Sequence, residues 1–212
     1  KVIITDHHLP GIRLPAADAI VNPQQKDDHF PSKHCAGVGV IFYLMLALRQ
    51  YLREQHWFEQ SMTAVPSMRQ FLDLVALGTV ADLVTLDHNN RLLVSQGLQW
   101  IKSGKARPGI YALLKLAKRD VDHLIASDLS FNVAPRLNAA GRLADMSLGV
   151  ACLLENDLNR AHEMALQLSQ LNEQRRSIEE TMKREAFLIL EKLIEKQRLE
   201  KGICLFDARW HQ

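Results

Sequence analysis

The sequence predicts a mixed α/β fold, in which a parallel sheet is followed by a helical subdomain and one long connecting helix. Three observations predict it. Two short apolar runs, residues 2–5 and Ala19–Val21, each close on turn residues and lead toward a helix-like stretch. The middle of the chain carries apolar positions at three- and four-residue steps. Residues 157–201 contain neither Gly nor Pro.

Each element follows from its residues. Residues 2–5 are apolar and mostly β-branched, a strand expected to be buried, and they run into Asp6-His7-His8 and then the turn signal Leu9-Pro10-Gly11. The second strand, Ala19–Val21, is closed by Asn22-Pro23. Ala36-Gly37-Val38-Gly39 opens an apolar stretch through Leu52 whose Leu, Ala and Met content favours helix. Its glycines admit close helix packing or, at a helix N-terminus, a phosphate. Residues 54–69 are polar and irregular, and residues 68–83 return to apolar periodicity that ends at Asp82.

Residues 89–102 and 109–117 read as amphipathic helices separated by a loop. Pro135-Arg136-Leu137-Asn138-Ala139-Ala140-Gly141-Arg142 reads as a small-residue turn between two arginines, and Ser147–Leu154 as a short helix. From 157 to 201 the apolar positions Ala161, Ala165, Leu168, Ile178, Met182 and Ile189 describe about 40 helical residues, roughly 60 Å if continuous. That length suits a strut between domains or a helical hairpin. Gly202-Ile203-Cys204-Leu205-Phe206 reads as the start of a further strand. A chain opening on one strand and stopping in another is expected to be a piece of a longer protein.

Composition narrows the functional classes. Of 212 residues, 47% are hydrophobic and 24% charged, a globular balance that excludes a low-complexity chain. No apolar run approaches the roughly 18–20 residues needed to cross a bilayer. The three cysteines, Cys35, Cys152 and Cys204, are far apart, which argues against a disulfide framework or zinc ribbon and fits a reducing cytoplasm. Net charge is only +2, but residues 91–142 hold 9 Lys/Arg against 3 Asp/Glu, enough for a basic face toward a polyanion. The aromatics there, Trp100, Tyr111 and Phe131, could stack on bases, although core packing is the simpler expectation.

Three constellations carry the chemistry. Asp6-His7-His8 leaves a strand at the carboxyl edge where parallel sheets place their sites. One imidazole can ligate a metal while the other faces substrate, and the carboxylate can fix a ring tautomer. Asp82 closes an apolar stretch, and a hard divalent cation such as Mg²⁺ or Mn²⁺ would compensate its charge. Asp73, nine residues earlier, reads as a cap or salt-bridge partner. Arg136 and Arg142 can fork onto phosphate oxygens, or bridge domains through carboxylates.

Taken in order, these motifs resemble the DHH phosphoesterase superfamily. The resemblance rests on Val2 through Gly11, Ala36 through Val40, Leu74 through Asp82 and Pro135 through Arg142, extending through Leu171-Asn172-Glu173-Gln174-Arg175 to Trp210-His211. It implies a partial DHH domain: part of the catalytic core in residues 1–85, its basic helical part in 86–156, a connecting helix in 157–201, and the start of an associated domain in 202–212. The resemblance further implies His7 and Asp82 as metal ligands, His8 against the scissile phosphate and Asp6 in close support. Arg136, Asn138 and Arg142 become the nucleic-acid candidates. The implied cofactor is a pair of Mn²⁺ or Mg²⁺ ions, with further carboxylate ligands expected in motifs that lie upstream in the family.

Within the superfamily the implied activity is 5′→3′ exonucleolytic hydrolysis of single-stranded DNA in repair and recombination, with a helicase and a single-strand-binding protein as candidate partners. The rival readings are a DHH phosphodiesterase of oligoribonucleotides or cyclic dinucleotides, and a catalytically inactive DHH scaffold that binds nucleic acid. The arginine motif and the long helix count against the first. Intact His7, His8 and Asp82 count against the second.

Overall fold

The computed structural model describes residues 1–195 and 202–210. Two strands, β1 (Ile3–Thr5) and β2 (Ala19–Val21), pair in parallel with Ile3 opposite Ala19 and Thr5 opposite Val21. The Asp6 N–H extends the ladder by donating to Val21 O at 3.1 Å. The expected strand therefore forms, but it is not buried: Val2 and Ile3 are 55% and 64% exposed, and Ile4 is only partly buried.

The rest is helical. An 18-residue helix, α1 (Gly37–Glu54), precedes a single turn, α2 (Trp57–Gln60), and an exposed loop. A 3₁₀ turn (Met68–Phe71) then leads into α3 (Leu72–Ala81). Apart from Asp73 and Thr79, helix α3 is apolar all round, and Leu72, Val75, Ala76, Leu77 and Val80 are buried, as expected of a helix at the centre of a core. Helix α4 (His88–Lys102) lies along it. Asp87 caps α4 by accepting the Asn90 N–H at 2.9 Å. At the α3–α4 contact a Cβ on Gly97 would sit 2.2 Å from Leu72 O and 2.3 Å from the Ala76 Cβ, so only glycine permits this approach.

Helix α5 (Pro108–Leu116) starts with proline, whose missing N–H is no loss at a first turn. A short turn, α6 (Ala126–Asp128), passes through a π-helical turn (Leu129–Val133) into α7 (Ala134–Leu143), followed by α8 (Ser147–Leu154) and α9 (Leu158–Glu195). The main core draws on α3, α4, α5, α7 and α9, with Ile101, Leu113, Leu114, Val133, Ala165 and Leu168 fully buried. A smaller core of Phe42, Met68, Leu72, Val75 and Leu93 joins α1 to the other side of α3.

Asp73 lies inside this assembly, wholly inaccessible to solvent. It accepts from the Arg107 guanidinium at 2.5 Å and from the Arg107 N–H at 2.9 Å. The salt-bridge expectation for Asp73 is met, at a depth its sequence position did not reveal.

Helix α9 is 38 residues long, about 57 Å at 1.5 Å per residue. Its first turns belong to the core through Ala161, Ala165 and Leu168, and Asn172 is its last buried residue among those described.

Several expectations are corrected. Arg136 to Arg142 is not a turn: the segment lies in α7, which leaves its backbone N–H groups engaged in helix. Phe131 does not pack in the core but is 64% exposed, whereas Trp100 and Tyr111 are half-buried. Residues 203–207 form no strand, and a strand needs a partner that the described residues do not provide. Residues 196–201 of the expected connecting helix, together with His211, lie outside the described residues.

Candidate metal centre and candidate nucleic-acid groove

The Asp6-His7-His8 turn leaves the carboxyl end of β1, and its geometry is set by the Asp6 carboxylate. Oδ1 of Asp6 accepts the His7 N–H at 2.8 Å, the His8 N–H at 3.2 Å and the His8 ring Nδ1–H at 2.7 Å. A carboxylate can only accept here, so the His8 proton sits on Nδ1 and Nε2 is left for another partner. The His8 ring bond, followed by the His7 backbone bond, holds the Asp6 carboxyl below its usual pKa range. Ligating atoms of Asp6, His7 and His8 all lie within 4.8 Å of one another.

Asp82 reaches the same place from a different element. It is the C-cap of α3, its N–H bonded to Gly78 O at 3.1 Å, and the chain then turns away through Leu83 in the left-handed region at φ 56°. His7 Nε2 and Asp82 Oδ2 are 3.2 Å apart, with the His7 side chain 17% and the Asp82 side chain 41% exposed. Two donors on adjacent positions around a hard divalent cation, each at about 2.1 Å, would lie roughly 3 Å apart. Asp82 also sits at the negative end of the α3 dipole, where an anion is disfavoured unless a cation compensates it. The donor chemistry, the spacing and the partial opening to solvent therefore fit a metal ion.

The glycine motif supports this centre from behind. A Cβ on Gly37 would meet the His7 ring at 3.3 Å from Cδ2, so its role here is close packing of α1 on the imidazole. Ala36, the N-cap of α1, supplies no capping side chain.

The three nucleic-acid candidates separate. Arg136 is half-buried: its Nε donates to Ser169 Oγ of α9 at 2.8 Å and its Nη1 donates to Asn132 O. Burial, reinforced by nearby Arg176, lowers its pKa. Asn138 and Arg142 instead line an open groove of about 430 Å³ between α7 and α9, together with Pro135, Arg175, Ile178 and Met182. Arg175 is paired with Glu179 at 2.7 Å, the i,i+4 neighbour. The sequence places Arg175 within the resembling stretch but does not single it out as a binding candidate. Its spacing from Ile178, Glu179 and Met182 puts all four on one helix face, a signal that gains meaning only once α7 is known to lie opposite.

Residues 1–79 match the DHH family, N-terminal domain. The fold and the centre described above are consistent with a partial DHH domain followed by helices.

Along its whole length the chain is also similar to the single-stranded-DNA-specific exonuclease RecJ. It is 56% identical to the Escherichia coli protein over 213 residues, covering 100% of this chain and 37% of that protein. It is 37% identical to the Bacillus subtilis protein over 211 residues, covering 99% of this chain and 24% of that protein. The crystal structure of an exonuclease RecJ bound to manganese superposes with a TM-score of 0.71 at 32% identity, covering 87% of this chain and 43% of that one. The chain thus spans less than half the length of these relatives. Structures of RecJ from Thermus thermophilus are known with Mn²⁺ and with Mg²⁺. Among the described residues no helix is long and apolar enough to cross a membrane.

Proposed function

We propose that the chain supplies one side of the catalytic centre of a divalent-metal-dependent exonuclease that degrades single-stranded DNA from the 5′ end, in repair and recombination. The carrying observation is the convergence of His7 Nε2 and Asp82 Oδ2 at 3.2 Å beside a His8 ring fixed by Asp6. The similarity to single-stranded-DNA-specific exonucleases supports the substrate.

His7 and Asp82 would hold a Mn²⁺ or Mg²⁺ ion. When bound, a divalent pair supplies an activated water and neutralises charge growing on the phosphate. Asp6 keeps the His8 proton on Nδ1, so Nε2 faces the phosphate, and a protonated His8 donates where negative charge develops. The uncapped N-terminus of α1, held against His7 by Gly37, adds a favourable field for that anion. Arg142, Asn138 and Arg175 line the groove that receives the strand, and their contacts are to backbone phosphates, which carry no sequence information. A helicase and a single-strand-binding protein are the partners that such an activity calls for.

The test uses the full natural polypeptide and a labelled single-stranded oligonucleotide, with and without EDTA. Cleavage should require metal. His7→Ala and Asp82→Ala should abolish cleavage while binding stays within a few-fold of wild type. Metal-independent cleavage, or robust cleavage by His7→Ala, would overturn the assignment.

A further inference from the structure

We propose that Asn22 is a positioning residue that fixes the Asp6-His7-His8 turn through the carbonyl of His8. Asn22 is 3% exposed, a depth that is costly for an amide unless its hydrogen bonds are made. Its Nδ2 donates to His8 O at 2.9 Å, and its Oδ1 accepts the Gln24 N–H at 2.9 Å. The turn is therefore pinned at both ends from β2: Asp6 N–H on Val21 O at the start, Asn22 on His8 O at the finish.

This matters because packing does not hold His8. Its side chain is 75% exposed, and its ring is bonded only to Asp6, a member of the same turn, among the described residues. The Asp6 N–H on Val21 O, and His7 against Asp82 and Gly37, hold the start and middle of the turn. Asn22 is the anchor at its His8 end. It is itself fixed, since the following Pro23 biases it to extended backbone and Lys33 Nζ ties Pro23 O at 2.7 Å to Asp28 O at 2.6 Å. Residues that orient ligands in this way commonly change metal affinity or activity by about 10–100-fold when removed.

The proposal rests on the metal-dependent reading, and its test separates the two. Three variants are compared in the full natural polypeptide. Asn22→Asp is isosteric and keeps the Oδ1 acceptor for Gln24 but loses the donor to His8. Asn22→Ala loses both. Gln24→Ala removes a bond from the same loop, Gln24 Nε2 to Lys33 O, without touching the triplet. Amide hydrogen exchange at His7 and His8 is measured without metal, Mn²⁺ affinity by electron paramagnetic resonance, and kcat and KM on a single-stranded oligonucleotide.

Both Asn22 variants should speed exchange at His7 and His8, weaken Mn²⁺ binding about 10–100-fold and lower kcat, with KM within about twofold. Gln24→Ala should lower thermal stability without these effects. Asn22 variants that lose stability but keep exchange and Mn²⁺ affinity within twofold of wild type would overturn the proposal. A wild-type protein that neither binds Mn²⁺ nor cuts single-stranded DNA would overturn the metal reading instead, and exchange at His7 and His8 would then decide the role of Asn22.

Discussion

Replacing Arg136 and Arg142 separately by alanine should produce opposite phenotypes, because the structure places two arginines of one motif in different surroundings. Arg136 ties α7 to α9 through Ser169 Oγ and bonds back to the Asn132 carbonyl of the preceding turn, and burial lowers its pKa. A hydrogen bond from a charged group is worth about 1.5–3 kcal/mol. Both acceptors are near enough to the surface to recover water, so the net loss for Arg136→Ala is set near 2 kcal/mol. For a chain of this size that corresponds to about 4–8 °C in Tm. Arg142 makes no hydrogen bond or ion pair among the described residues and faces the open groove, so Arg142→Ala should leave Tm within about 1 °C. The assays are thermal melts and the salt dependence of single-strand binding. Each lost phosphate contact on a single strand lowers the slope of log K against log salt by about 0.7. Arg142→Ala should show that fall, equally for all sequences, and Arg136→Ala should not. An unchanged slope for Arg142→Ala, or a reduced slope with unchanged Tm for Arg136→Ala, would refute the reasoning.

Three further outcomes are expected. Gly97→Ala gains up to about 1 kcal/mol of helix propensity but forces apart two backbones already in contact, at about 1–3 kcal/mol, so a calorimetric Tm should fall, and a raised Tm would mean that α3 and α4 are not packed as described. Asp6 has a depressed folded-state pKa, so the order it gives the turn is complete above about pH 4 and lost as pH falls through the lowered value; His7 and His8 amide signals followed by NMR should shift in that acid range, and shifts centred at pH 6–7 would assign the transition to histidine instead. The 212-residue chain alone offers His7 and Asp82 with Asp6 and His8 beside them, too few anionic ligands to neutralise two divalent ions, so it should bind Mn²⁺ weakly and show no nuclease activity on a labelled oligonucleotide.

The fold was legible where its cause is local. β-Branched runs ending in turn residues gave both strands, and a Gly/Pro-free run with a three/four apolar step gave α9. What was not legible depends on neighbours distant in sequence. Whether residues 2–5 are buried is decided by what covers the sheet, not by their own hydrophobicity. Gly141 and the two alanines before it look like turn residues, yet Ala139 and Ala140 are fully buried, their small side chains letting α7 approach the core. Phe131 erred the other way. It lies in a π-helical turn, whose altered phase directs a residue outward that ordinary helical spacing would turn inward.

The site divides along the same line. His7, His8 and Asp82 were readable as candidates because ionisable residues that close apolar stretches need compensation, and that argument requires no knowledge of the partner. Arg136 and Arg142 were not separable, since an arginine's sequence context carries no record of whether a serine 33 residues later will occupy it. Spacing along α7 offered a hint: positions 138 and 142 are four apart and share a face, whereas 136 lies on another. Asn22 was hidden for a third reason. Asn-Pro after a strand is an ordinary turn signal, and only the parallel pairing of β1 with β2 brings the end of one strand beside the triplet that leaves the other. Residues contributing a hydrogen bond across such a pairing are the part of a site that a single sequence conceals most completely, because their chemistry is common and their placement is wholly tertiary.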